Sequence, residues 1–137
     1  MLFRSFRNPL TTEIVAGTRE VTARHVINKN DIKSMIRSLR EGVPVWYAPD
    51  QSYHLKQSAL VPFFGIPAMT NIATTTIAKL GRAKAIPFWP RRLAEGGYEI
   101  RIEPPIEGLP SDDPEEDTRK YVAALEAQIR RCPEQYY

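Results

Sequence analysis

An acid and an amide, Asp50 and Gln51, follow the apolar run Val43-Pro44-Val45-Trp46-Tyr47 through Ala48-Pro49. In open α/β sheets, ligands sit at the loops that leave the carboxyl ends of strands. A buried strand that delivers Asp-Gln into such a loop is therefore a candidate binding site. Pro49-Asp50 also makes an ordinary turn for backbone reasons alone, so a ligand loop and a plain turn both stand at this point. His25 and Asp31 invite an acid–base reading, but His25 falls in a predicted strand and Asp31 caps the helix after it, so their side chains need not converge. His54 stands in the polar loop near Asp50. There is no phosphate-binding glycine loop, no serine elbow and no Cys-x-x-C, and two histidines are too few for a histidine-based metal cluster. The single cysteine, Cys132, cannot form an internal disulfide. Neither a metal nor a cofactor is expected.

The elements that must carry these residues follow from local signals. Asn8-Pro9 opens a helix predicted to run to about Val21, because proline suits a first helical position. A short strand is predicted over 24–27. Asp31 opens a helix with Ile32, Met35, Ile36 and Leu39 at helical spacing, and Gly42 ends it. Residues 43–47 read as a strand covered on both faces. Strand, helix and strand at this spacing predict a parallel unit with a right-handed crossover.

Residues 59–64 read as an edge strand, since Pro62 has no donor. A helix is predicted over 71–80 with Gly81 as its stop. Gly96-Gly97 turns the chain from the 83–90 segment into a strand over 98–102, with Tyr98, Ile100 and Ile102 on one face. Asp113 caps a last helix that has Pro114 in its first turn, a buried stripe of Tyr121, Leu125 and Ile129, and Pro133 as its end. Trp46, Phe63, Phe64, Phe88 and Trp89 are expected mostly in the core, with the wall of an apolar pocket as the competing role. The fold class is thus α/β: a mostly parallel sheet flanked by helices, with an antiparallel edge hairpin.

The composition fits one domain or part of one: 137 residues, 42% hydrophobic and 26% charged. The net charge is only +3, yet the cations crowd the first part of the chain, from Arg4 to Arg40, while acids concentrate in Asp112-Asp113-Pro114-Glu115-Glu116-Asp117. Such asymmetry suits an anionic partner. Nucleic acid is not expected, because no recognised nucleic-acid motif is present and the basic residues are not interleaved with aromatics.

Tyr47-Ala48-Pro49-Asp50-Gln51, Val61-Pro62-Phe63-Phe64-Gly65, Ala78-Lys79-Leu80 and Ile86-Pro87-Phe88-Trp89-Pro90-Arg91-Arg92 occur in this order. With Phe3-Arg4 and Asn8-Pro9 ahead of them and Pro133-Glu134-Gln135-Tyr136 behind, the series resembles the lipid A biosynthesis lauroyl and myristoyl acyltransferases. That family lies within the lysophospholipid acyltransferase superfamily, whose domain is glycerol-phosphate-acyltransferase-like. The family's catalytic signature, His-x-x-x-x-Asp or Glu, does not occur in these 137 residues, nor does its closing basic run. The resemblance therefore implies a single partial domain over 1–137, the substrate-binding, C-terminal part of a longer enzyme. The catalytic residues would lie outside this chain, leaving it inactive alone.

The same resemblance implies an acyl carrier protein thioester as donor and a phosphorylated glycolipid as acceptor. It places the whole enzyme at the cytoplasmic face of the inner membrane, in contact with the membrane surface. By position in the family pattern, Arg4 is the first candidate phosphate ligand and Arg19 a further one. Asp50 and Gln51 stand where the superfamily binds its acceptor, and Arg91 and Arg92 follow its proline-containing block. A guanidinium meets phosphate through two parallel hydrogen bonds, which makes arginine the expected ligand. For Arg91 and Arg92 a solvated strand end competes with a binding role. The alternative for the whole chain is a non-catalytic module that binds anionic lipid or acyl carrier protein.

Overall fold

The computed structural model describes residues 2–3, 8–21, 23, 26–28, 30–49 and 57–136, with Leu2, Phe3 and Arg19 described by their backbone alone. The chain is mixed α/β and divides into two compact units, Met1–Ala48 with Leu80–Ala83, and Pro49–Lys79 with Lys84–Tyr137.

In the first unit, β1 (Leu2–Phe3) pairs in parallel with β2 (Ile27–Asn28), and α1 (Pro9–Glu20) lies between them in sequence. Asn8 sets the start of α1 by accepting the Leu10 N–H at 2.9 Å. Helix α2 (Ile32–Arg40) is capped at both ends as its sequence predicts. Asp31 accepts the Ser34 N–H at 3.0 Å. At the other end Gly42, at φ +75°, donates to Leu39, and Val43 donates to Ser38. That pair of bonds is a Schellman closure, which a side chain at Gly42 would strain. Met35 and Ser38 are the buried residues of this helix.

In the second unit, β3 (Ser58–Phe63) and β4 (Ile66–Asn71) form an antiparallel hairpin around Phe64 and Gly65. A two-residue loop makes Phe63 and Ile66 a hydrogen-bonded pair, so the next pair, Pro62 opposite Pro67, is a non-bonded one. Both prolines thus sit where a donor would point out of the ladder, and neither costs a bond. Helix α3 (Ala73–Gly81) starts from Asn71, whose Oδ1 accepts the Ala73 N–H at 2.8 Å. A second hairpin, β5 (Phe88–Arg92) with β6 (Tyr98–Ile102), is the expected antiparallel pair. Helix α4 (Pro114–Arg131) begins as predicted: Asp113 accepts the N–H groups of Glu115 and Glu116, and Pro114 fills the first turn. The core joins Val61 of β3 to Ala78, Leu109, Tyr121 and Val122, with Ala59 and Phe63 packed beside them. The Tyr121 hydroxyl, carried into this core, donates to the Asn71 carbonyl at 2.8 Å.

Three expectations are corrected. Among the described residues the sheets are two-stranded; two are antiparallel, and the one parallel pair, β1 with β2, is two residues long. Residues 43–47 form no strand, since a strand needs a neighbour to pair with and Pro44 removes a donor from the run. The aromatic group is not mostly core: Trp46, Phe64 and Phe88 are exposed, and Phe63 and Trp89 are half-buried. On the β5–β6 hairpin the register puts Phe88, Ile102, Ile100 and Tyr98 on one face, and that face is open, with Ile100 57% and Ile102 67% exposed.

Candidate functional site

Of the six candidate ligands, Arg4, Asp50 and Gln51 lie outside the described residues, as do His25 and His54. Arg19 falls on the last turn of α1, in the first unit. Arg91 and Arg92 are consecutive on β5, in the second unit, and so point to opposite faces of the hairpin. Arg91 stands opposite Glu99 and pairs with it at 3.8 Å, while Arg92 has no ion-pair partner among the described residues. This distinguishes two arginines that look equivalent in sequence.

The backbone of Arg92 is held by a side chain more than forty residues away. Gln135 accepts the Arg92 N–H at 2.8 Å and donates to the Arg92 carbonyl at 2.9 Å. Gln135 belongs to Pro133-Glu134-Gln135-Tyr136, and Tyr136 of the same segment meets the Phe63 ring at 6.1 Å. That segment therefore fastens the strand carrying both arginines. Nothing in its local spacing announces the role, because an amide side chain completing the edge of a strand is a long-range event.

The second unit also buries an acid. Asp117 of α4 is fully buried; its Oδ2 accepts from the Thr75 hydroxyl and the Ser111 N–H, each at 2.8 Å. Lys120 Nζ stands 3.9 Å from its Oδ1. Burial pushes the Asp117 carboxyl up, but the Ser111 and Thr75 hydrogen bonds and the Lys120 charge outweigh it and hold the pKa below its ordinary value of 3.8. A carboxylate held by these fixed donors joins α3, α4 and the 109–111 loop. At the end of α3, Lys79 meets Asp112 at 2.6 Å.

The first unit holds two open clefts. One, of about 420 Å³, is lined by Leu39, Arg40, Gly42, Gly81 and Arg82. The other, of about 460 Å³, is lined by Lys33, Ile36, Arg37, Arg40 and Glu41. Sequence reasoning assigns these cations no site, although Lys33, Arg37 and Arg40 recur at the spacing of one helix face. No group of acids, histidines and cysteine among the described residues is arranged to hold a metal ion. No helix among the described residues is long and apolar enough to cross a membrane.

The sequence is matched along residues 1–137 by the family described as bacterial lipid A biosynthesis acyltransferase. It is 34% identical over 137 residues to the lipid A biosynthesis lauroyltransferase of Escherichia coli K12, covering 98% of this chain and 45% of that protein. A lipid A biosynthesis acyltransferase of Haemophilus influenzae is also 34% identical, over 98% of this chain and 42% of its own length. The Escherichia coli lipid A biosynthesis myristoyltransferase is 28% identical, again over 98% of this chain and 42% of that protein. The chain thus spans somewhat under half the length of these relatives.

Proposed function

The chain belongs to the bacterial lipid A biosynthesis acyltransferase family, and from that premise we propose that it forms the substrate-binding part of an enzyme that acylates a lipid A precursor. The donor is the thioester of an acyl carrier protein, and the acceptor is a hydroxyl on a phosphorylated glycolipid at the cytoplasmic face of the inner membrane. What carries this reading is the match along the entire chain, with the motifs in family order. Residues 1–137 act as one partial domain of a glycerol-phosphate-acyltransferase-like fold.

In this reading Arg4 and Arg19 neutralise acceptor phosphate, and Asp50 and Gln51 position the acceptor. Arg92, free of a carboxylate partner among the described residues, binds substrate more readily than Arg91, which Glu99 already engages. The hydroxyl must lose a proton as it attacks the thioester carbonyl, and a general base takes it. No His-x-x-x-x-Asp or Glu occurs in this sequence, so the base comes from elsewhere and the chain alone transfers no acyl group.

The test is transfer of a labelled acyl chain from acyl carrier protein to a lipid A precursor. The chain alone is expected to be inactive. Joined ahead of Met1 to the portion of the Escherichia coli lauroyltransferase that precedes the matched stretch, it is expected to gain activity. Asp50→Ala or Arg4→Ala should then abolish that gain. Turnover by the chain alone overturns the inactivity; a folded but inactive fusion argues against the acyltransferase reading. The uneven charge, with cations crowded from Arg4 to Arg40 and acids over 112–117, favours one second reading, a non-catalytic module that binds anionic lipid or acyl carrier protein. Binding of either by the chain, without turnover in the fusion, would select it.

A further inference from the structure

We propose that the two clefts along α2 form one binding site for a phosphoryl-bearing anion, built by Lys33, Arg37, Arg40 and Arg82. Lys33, Arg37 and Arg40 are spaced i, i+4, i+7, so they lie along a single face of α2. Arg40 lines both clefts and so connects them. Its Nε donates to the Leu80 carbonyl at 2.8 Å, which fixes the guanidinium while leaving its other N–H donors for a ligand. None of the four cations forms an ion pair among the described residues. Glu41 lines the second cleft, and Asp31 is near enough to Lys33 and Arg37 for their charges to lower its pKa. Asp31 is already bonded to Ser34, and the two acids do not balance four cations.

Arg82 supplies the independent observation. Its φ is +53°, a left-handed conformation that side chains other than glycine adopt at a cost. Gly81 just before it lies so close to Leu39 that a Cβ there would stand 2.6 Å from Leu39 Cδ1. The Leu39–Gly81 contact and the Arg40–Leu80 bond together carry Arg82 onto the lining of the first cleft. The chain thus accepts a strained residue at the one position in the turn that lines the cleft with a second guanidinium. Guanidinium forks match the tetrahedral oxygens of phosphate better than a diffuse acidic surface, and three of the four cations are arginines. The inference does not rest on acyl transfer, and none of its residues belongs to the set proposed above for the acceptor.

The experiment follows binding of pyrophosphate by calorimetry, and of phosphatidylcholine vesicles doped with phosphatidic acid by sedimentation. Arg82→Gly is the decisive variant. Glycine takes the left-handed conformation without strain, so its melting temperature should equal or exceed the parent's while affinity falls about tenfold, the loss of one charge-assisted contact. Lys33→Gln, on the helix surface, should weaken binding too. Arg131→Gln removes the same charge from α4 and should leave binding unchanged. Binding of pyrophosphate alone identifies a free phosphate ligand, and binding of the vesicles alone a lipid headgroup; either supports the site. It is overturned if neither binds, or if Arg131→Gln weakens binding as much as Arg82→Gly. It is also overturned if the chain takes up polyglutamate in preference to both phosphate probes, which would mark a protein-docking surface.

Discussion

Gln135 grips Arg92 by the main chain, its amide accepting from the Arg92 N–H and donating to the Arg92 carbonyl. The contact acts on the strand and not on the guanidinium, so it sets where Arg92 starts from without using its charge. Gln135→Ala should cost about 1–2 kcal/mol in urea unfolding, two partly exposed hydrogen bonds' worth. Gln135→Glu should cost at least as much, because a carboxylate cannot donate to the carbonyl it would face. A free energy unchanged by both substitutions would show that the grip contributes nothing.

The buried carboxylate gives the fold an acid limit. The Asp117 pKa lies below 3.8 in the folded chain, so its contribution is fully present above the unfolded value. It is lost as pH falls from there through the folded value. Stability should therefore hold level from neutral pH to about pH 4, on the carboxylate reference scale, and decline below it. Asp117→Asn should destabilise at pH 7 by about 1–3 kcal/mol and flatten that decline, since it disturbs acceptors for Ser111 and Thr75. Melting curves from pH 7 to pH 2.5 on both proteins decide the matter; an equally steep acid decline in the variant would reassign the titration to other carboxylates.

Two glycines should answer the same substitution with opposite signs. Gly17 lies inside α1 with open space around it, so Gly17→Ala should stabilise by about 0.5–1 kcal/mol. At Gly81 an added methyl meets Leu39 Cδ1 at 2.6 Å and Leu39 Cβ at 2.8 Å, and the second of these cannot swing away. Gly81→Ala should cost about 1–3 kcal/mol. Thermal melts of the pair check both signs at once.

The open face of the β5–β6 hairpin should govern solubility. Ile100, Ile102 and Tyr98 form an exposed apolar patch with Phe88, and such patches promote association. Ile100→Lys with Ile102→Lys should lower the fraction of associated chain in sedimentation without lowering the melting temperature. If the double variant associates as readily as the parent, the patch is not the cause.

These relationships also show what the sequence reveals. Asp31, Gly42, Asp113 and Pro114 mark α2 and α4 correctly because a cap is decided by residues within a turn of it. Strands are decided by partners. The run from Val43 to Tyr47 has the apolarity of a buried strand and finds no ladder among the described residues. Residues from Ile66 to Asn71, with Pro67 among them, form a strand that their own pattern does not announce. Its proline is harmless only in the register that places it opposite Pro62. At the candidate site, family order selects Arg91 and Arg92 from sequence, but only the alternation of β5 and the Glu99 partner tell them apart.

The β3–β4 turn has a consequence for measurement. Phe64 sits at φ +49°, and its N–H is bonded not across the hairpin but to Glu126 of α4, at 2.8 Å. Arg130 pairs with Glu126 at 3.1 Å and lies 4.9 Å over the Phe64 ring. An amide exchanges with solvent when its own acceptor leaves. Deuterium uptake at Phe64 should therefore track the lifting of α4 from the hairpin, while the amides of Val61 and Ala68 track the parting of the strands. One hairpin would then carry two separate clocks, one for its own opening and one for the helix that covers it.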